Sequence, residues 1–458
     1  MIRSVSHLLR RARISQQAPS SPLRGRPAAA PILDLHRLAG NRAVASLVSI
    51  QRNVGWTDAK SPEGYKWNQD ERPVGKVRRI PLEGLTEGSY AKAKKAVADT
   101  SAIPELTSES AVGKAIVLVP DALDATQSID VLVFLHGHTE GTHRPFGGYR
   151  TLDKAVPKAS PHMQNLRRGI DATDTAPVRD VALDQAAQQL DESGEKQLVI
   201  ILPQGGLYSQ FSKEGTQDFD AGPYVKEIVN RLATEKRWKD GAGQVVTSAP
   251  PVTRITMSGH SGAGAALSHM ADVSKLGVKP GASSRIPGDL VIYDAINGDQ
   301  LTSFTDWAIR RLDEDLLILT DPAFNDQDKL VHLRSAPKLL GYTTDSYIWQ
   351  YIALDNAIEA WFTRNKAKLG QWADCLRANY RLEYVDVDHE ELMRGSKTTG
   401  PRAKGTGNIL DAIKSLNALR SATLSACPPW PRSLIERYYA VHPERKPKPK
   451  AKATAGAR

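Results

Sequence analysis

The sequence predicts an α/β protein built on a mostly parallel, twisted sheet with helices on both faces. Two observations carry this. From about residue 110 onward, short apolar runs suited to strands alternate with amphipathic runs suited to helices, and parallel strands need crossovers of that kind to join them. The chain has 458 residues and 40% hydrophobic content, enough to bury one large core or two modest ones.

Taken in order, residues 1–30 are rich in Arg, Ser, Pro and Ala and contain no acidic residue, so they read as a basic tail that cannot bury enough surface to fold alone. A mitochondrial transit peptide shares that composition but not its prolines. Residues 32–53 place Leu35, Leu38, Ala39, Val44, Leu47 and Val48 at helical spacing around Gly40-Asn41 and read as two short helices. The main domain is then expected over 54–442. Its strands are expected at Ala115–Val119, Asp130–Leu135, Gln197–Leu202, Arg254–Ser258, Asp289–Asp294 and Arg381–Val387. Helices are expected at Val178–Glu192, Tyr224–Arg237, Ser261–Leu276, Ser303–Leu312 and Ser346–Lys366. The stretch 303–379 exceeds one crossover and is expected to include a helical insertion over part of the strand C-terminal edge, where such sheets keep their chemistry. Residues 443–458 form a Lys/Pro tail expected to stay disordered.

Charge narrows the partners. Of the net +10, residues 1–53 carry +8 (nine Arg against one Asp) and residues 443–458 carry +5 (six Lys or Arg against one Glu), so the body between them is −3. A body of that charge is not a basic nucleic-acid binder. Cys375 and Cys427 are too few for a disulfide framework and lack C-x-x-C spacing, so both read as structural thiols, with a single bridge as the alternative. No run approaches the length of a membrane span, and the N-terminus has no continuous apolar block of secretory type. A soluble, cytoplasmic protein without a cleaved signal peptide is expected.

The chemistry concentrates in "RITMSGHSGAGAALSHM", residues 254–270. Gly259-His260-Ser261-Gly262-Ala263-Gly264 follows an expected strand and precedes an expected helix. This resembles the nucleophile elbow of the α/β-hydrolase superfamily, G-x-S-x-G, with Ala263 in place of the last glycine and a glycine one residue later. Small residues are needed because the serine sits on a strained strand-to-helix turn, where larger side chains would meet the neighbouring strand or helix. The resemblance implies the α/β-hydrolase fold and a serine nucleophile, Ser261. It also implies an oxyanion hole. "DVLVFLHGHTEG" resembles the superfamily's H-G-x loop, which assigns the two donors to the backbone N–H groups of His138 and Gly262. His136 reads as a buried histidine that holds the loop.

An alkoxide is inaccessible at neutral pH, so the serine needs a base, and imidazole titrates in the working range. The resemblance puts it after the last strand, where His389 stands in "YRLEYVDVDHEELM"; His162, His269 and His442 are weaker candidates. The acid that orients the imidazole should lie between Ser261 and His389. Asp294, ending the first strand after the nucleophile helix, is the choice. Asp345 is its rival should Lys338–Tyr342 be a further strand, and Asp321 and Asp388 are less well placed.

Together these residues imply acyl transfer from an ester to water, with no metal or organic cofactor and a small-molecule or lipid ester as substrate. Two other chemistries compete. His136, His138 and His143 could bind zinc, in partial resemblance to metallo-β-lactamase-type hydrolases. The same scaffold could also serve a non-catalytic binding protein. Finally, "LHRLAGNRAVASL" at 35–47 resembles an N-terminal segment of cargo toxins of bacterial extracellular contractile injection systems. That resemblance implies export as cargo, with residues 1–53 contacting the injection tube or baseplate. The H-E-x-x-H module that many such cargo proteins carry is absent, since "HEELM" at His389 lacks the second histidine.

Overall fold

The computed structural model describes residues 72–82, 84–85, 115–135, 137, 181–203, 221–271, 288–298, 300–393, 405–423, 427 and 432–447. All of them fall within the unit Thr57–Arg458. The expectations placed on residues 1–53, on His136, His138 and His143, and on most of the C-terminal tail lie outside the described residues.

Among the described residues, nine strands make one sheet: β1 (Arg72–Val74), β2 (Val77–Leu82), β3 (Ala115–Pro120), β4 (Ile129–Leu135), β5 (Leu198–Pro203), β8 (Val252–His260), β9 (Gly288–Tyr293), β10 (Leu339–Thr343) and β11 (Tyr380–Tyr384). Their spatial order is β1-β2-β3-β5-β4-β8-β9-β10-β11, while β6 (Trp238–Lys239) and β7 (Val245–Val246) form a separate ribbon. The six strands from β5 to β11 in that order pair in parallel. β1, β2 and β3 extend the sheet antiparallel.

Helices α1 (Val181–Ser193), α2 (Ala221–Thr234), α3 (Gly264–Ala271), α4 (Gln300–Thr320), α5 (Asp326–Ser335), α6 (Ile348–Leu369), α7 (Ala373–Ala378), α8 (Asn408–Ser421) and α9 (Leu434–Val441) connect and cover these strands. Strand side chains alternate between two faces, and each face has its own core. Val131, Val133 and Leu135 of β4 pack with Tyr224 of α2, Leu267 of α3, Phe304 of α4 and Tyr351 of α6. Leu132 and Phe134 pack instead with Ala186 and Leu190 of α1 and Ile409 and Ile413 of α8. The central strands are apolar on both faces because both faces are covered. The result is the α/β-hydrolase fold the sequence leads one to expect.

Two expectations change. The stretch 303–379 is helical, but β10 threads it, so it forms two successive crossovers of the sheet. Cys375 and Cys427 are not free thiols: they form a disulfide with Cα atoms 5.0 Å apart. Composition could not reveal a pairing across 52 residues.

At the sheet's lower edge, where the parallel strands begin, lies a group of buried charges. Asp289 of β9 bonds Arg254 at 3.0 Å and Arg420 at 2.5 Å, and accepts the backbone N–H of Lys338. Burial pushes the Asp289 carboxyl up, but Arg420, Arg254 and Lys338 outweigh it and hold it below the ordinary carboxylate value. Burial lowers Lys338 itself to about 8. Its ammonium donates to the carbonyls of Leu333, Arg334 and Ala336.

Candidate active site

At the opposite edge, β8 runs extended through His260 (φ −114°, ψ 140°) and turns abruptly at Ser261. Ser261 has φ +54°, a left-handed conformation that costs a non-glycine residue on the order of 1–3 kcal/mol. A 3-10 turn over Ser261–Ala263 then leads into α3. The surroundings hold the turn in place. Asn297 donates its side-chain amide to the Ser261 carbonyl at 3.1 Å. A side chain at Gly259 would come within 2.8 Å of the Ala263 Cβ, and one at Gly137 within 3.0 Å of the Ser261 Cβ.

The bend brings Ser261 Oγ to 2.8 Å from His389 Nε2. His389 Nδ1 lies 2.9 Å from Asp294 Oδ2. With a carboxylate as its partner, Nδ1 carries the proton in the neutral ring, so Nε2 accepts from the serine hydroxyl. His389 opens the short 3-10 turn His389–Glu391 beyond β11. Asp294 follows β9 directly and is fully buried. A buried carboxylate must have its acceptor sites filled, and four groups fill them. Thr343 Oγ1 and the Thr344 N–H donate to Oδ1, both at 2.9 Å. Thr344 Oγ1, at 2.6 Å, joins His389 on Oδ2.

Asp294 also has φ +46°, a conformation aspartate tolerates better than most residues. The next residue, Ala295, donates its N–H to the Tyr351 hydroxyl at 3.1 Å. Burial and the nearby Asp294 charge raise the Tyr351 phenol well above its ordinary value, so it stays protonated.

Asp345, the rival acid, does follow a real strand, β10. It is engaged elsewhere: Tyr384 donates to its Oδ1 at 3.0 Å and Arg445 pairs with its Oδ2 at 2.7 Å. The structure therefore brings Ser261, His389 and Asp294 together and leaves Asp345 outside the chain of hydrogen bonds. Gly262 stands next to the serine in the 3-10 turn. Its partner in the expected oxyanion hole, His138, lies outside the described residues, as do the other two histidines of the zinc reading.

Sequence reasoning missed four residues around this chain of hydrogen bonds. Thr343 ends β10 beside β9 and Thr344 follows it, and their pairing with Asp294 depends on a parallel register that no local pattern encodes. Tyr347 packs its ring 5.0 Å from that of His389. His260, inside the quoted motif, stacks on His389 with ring centroids 4.5 Å apart. Its place beside the serine was the available signal.

No family model and no curated protein matches this sequence. Among solved structures, the chain is similar to a variant of the esterase rPPE, at 11% identity over 88% of this chain and 93% of that one, with a TM-score of 0.30. It is similar to the siderophore hydrolase EstA from Aspergillus nidulans, at 12% identity over 80% and 100% of the two chains, TM-score 0.30. It is also similar to a brefeldin A esterase, a bacterial homologue of human hormone sensitive lipase, at 13% identity over 76% and 80%, TM-score 0.24. Strand order and the turn at Ser261 define the fold more firmly than likenesses this slight.

Proposed function

We propose that the chain is a serine hydrolase acting on carboxylic esters, with Ser261 as nucleophile, His389 as general base and acid, and Asp294 as the group that orients His389. The observation supporting this most directly is the unbroken path Asp294 Oδ2, His389 Nδ1, His389 Nε2, Ser261 Oγ, with steps of 2.9 and 2.8 Å, ending on a serine in a left-handed turn.

Ser261 Oγ attacks the ester carbonyl carbon while its proton passes to His389 Nε2. Backbone N–H groups, assigned to Gly262 and His138, stabilise the oxyanion. Collapse of the tetrahedral intermediate breaks the bond to the alcohol oxygen, and His389 returns its proton to that alcohol. Water then attacks the acyl-serine with His389 again as base, which releases the carboxylic acid and restores Ser261. Asp294 keeps the proton on Nδ1 and stabilises the imidazolium without taking the proton itself. Esters are the favoured class because an alcohol leaves with less help than an amine. No step calls for a metal or an organic cofactor.

The test is labelling by a fluorophosphonate probe, with turnover of a series of esters of increasing acyl length. Labelling of the wild type and not of Ser261→Ala is expected. A folded wild type that takes no label and hydrolyses none of the esters would favour the non-catalytic binding reading.

The N-terminal resemblance supports a role as toxin cargo of a contractile injection system, with residues 1–53 as the loading segment. Deleting residues 1–53 should leave ester hydrolysis intact and abolish packaging; loss of both would contradict a separable loading segment.

A further inference from the structure

His260 is outside the hydrogen-bonded path yet touches its central member twice. Its Nε2 lies 3.0 Å from the backbone oxygen of His389. A carbonyl can only accept, so Nε2 of His260 carries a proton and donates it. The two imidazole rings also stack, 4.5 Å apart with planes inclined by 29°. On its Nδ1 side, His260 meets Gly137 of the loop after β4, where a Cβ would stand 3.0 Å from Nδ1. One side chain thus spans the turn that carries the serine, the segment that carries the base and the loop assigned to the oxyanion hole.

The base needs such support. His389 sits in a three-residue 3-10 turn beyond the end of β11, where regular secondary structure does little to fix a ring. A base displaced by about 1 Å costs roughly a hundredfold in rate.

We propose that His260 is a positioning residue for His389, holding the base by a hydrogen bond to its carbonyl and by a stacked ring, so that Nε2 of His389 stays within reach of Ser261. This rests on the reading of Ser261 and His389 as nucleophile and base. His260 takes no part in the path from Asp294 to Ser261; it acts through the imidazole on which it stacks.

The test compares the full chain with His260→Ala and His260→Gln, the amide of glutamine supplying a donor near the position of Nε2. Each variant is first shown by thermal melting to be folded. Three readouts follow: the rate of fluorophosphonate labelling, kcat and KM on a p-nitrophenyl ester, and the proton NMR signal of His389 Nδ1–H, which reports its bond to Asp294. In His260→Ala, labelling and kcat should fall roughly ten- to hundredfold, KM should stay near the wild-type value, and the Nδ1–H signal should broaden or vanish. His260→Gln should recover most of the loss. Unchanged labelling and an unchanged NMR signal in His260→Ala would overturn the proposal, as would failure of glutamine to restore either. A wild type that takes no label would refute the hydrolase reading alone, since the NMR comparison still decides whether His260 holds His389.

Discussion

No side chain fits at Gly264, because a Cβ there would overlap the carbonyl oxygen of Ala295, the residue after Asp294. The helix that begins at the serine turn is pressed directly onto the loop that carries the acid. This explains the departure from G-x-S-x-G. Ala263 packs beside Gly259, where a methyl group is tolerated, and the close backbone approach falls one residue later. Gly264→Ala should therefore push α3 away from the 294–297 loop, costing about 1–3 kcal/mol and separating Ser261 from His389. Urea unfolding and fluorophosphonate labelling measure the two effects, and an alanine variant with full stability and full labelling would refute the account.

Asp294 and Asp345 follow adjacent strands, but only Asp294 bonds His389. Asp294→Asn keeps the size and one acceptor yet allows the amide to donate toward Nδ1, which favours the wrong tautomer. Ester hydrolysis should drop by about 10⁴-fold. Asp345→Asn weakens pairs with Arg445, Tyr384 and His442 at a half-exposed carboxylate, and exposed ion pairs contribute on the order of 0–1 kcal/mol. Its kcat/KM should stay near wild type. The reverse ranking in a kinetic comparison would reassign the acid.

How far the site can be read from sequence depends on which interactions are local. β4, β5 and β9 carry apolar runs buried on both faces, and they stand out, while β8 is marked by the glycine-flanked serine that follows it. β1 and β2 do not stand out, because β1 is three residues long with Arg72 and Pro73, and Arg78, Arg79 and Pro81 interrupt β2, even though Arg79 is buried. β10 carries Gly341 at its centre, a residue that argues against a strand until one sees that a Cβ there would run into Leu382 and Tyr351. Ser261, His389 and Asp294 could be chosen because strand ends and chain order constrain them. Thr343, Thr344 and Tyr347 could not, since their contacts with Asp294 and His389 arise from the register of β9 against β10 and from the start of α6.

The buried charges at the lower edge make stability depend on pH in two windows. Lys338 has its ammonium lowered to about 8 by burial, whereas an unfolded lysine titrates near ~10.4. Between those values the unfolded chain binds more protons than the folded one, so stability rises with pH. Asp289 is held below the ordinary carboxylate value, so its contribution is present above about pH 4 and is lost as pH falls through the folded value. Urea midpoints from pH 7.5 to 10.5 should rise from the Lys338 contribution, and Lys338→Met should remove that component while an acid limb persists, carried by Arg420 and Arg254 and reduced by the lost Lys338 charge. A variant whose alkaline profile matches the wild type would show that Lys338 is not the titrating group.

The disulfide Cys375–Cys427 closes a loop spanning 52 residues where the chain changes faces. α8 belongs to the core on one side of the sheet, whereas Cys375 and the side chains Leu434 and Tyr438 of α9 belong to the core on the other. The bond fixes the crossing to α7, so α9 can settle beside β11, where Tyr438 meets Tyr384 edge to face. Chain-entropy reasoning gives such a loop about 4 kcal/mol of stabilisation. Reductant, or the double change Cys375→Ser and Cys427→Ser, should lower the urea midpoint accordingly. Labelling at Ser261 should persist at low urea, because neither cysteine touches Ser261, His389 or Asp294. If the midpoint ignores reductant, the bond adds nothing and the crossing is held by packing alone; if labelling is lost before the chain unfolds, the two ends of the sheet are coupled.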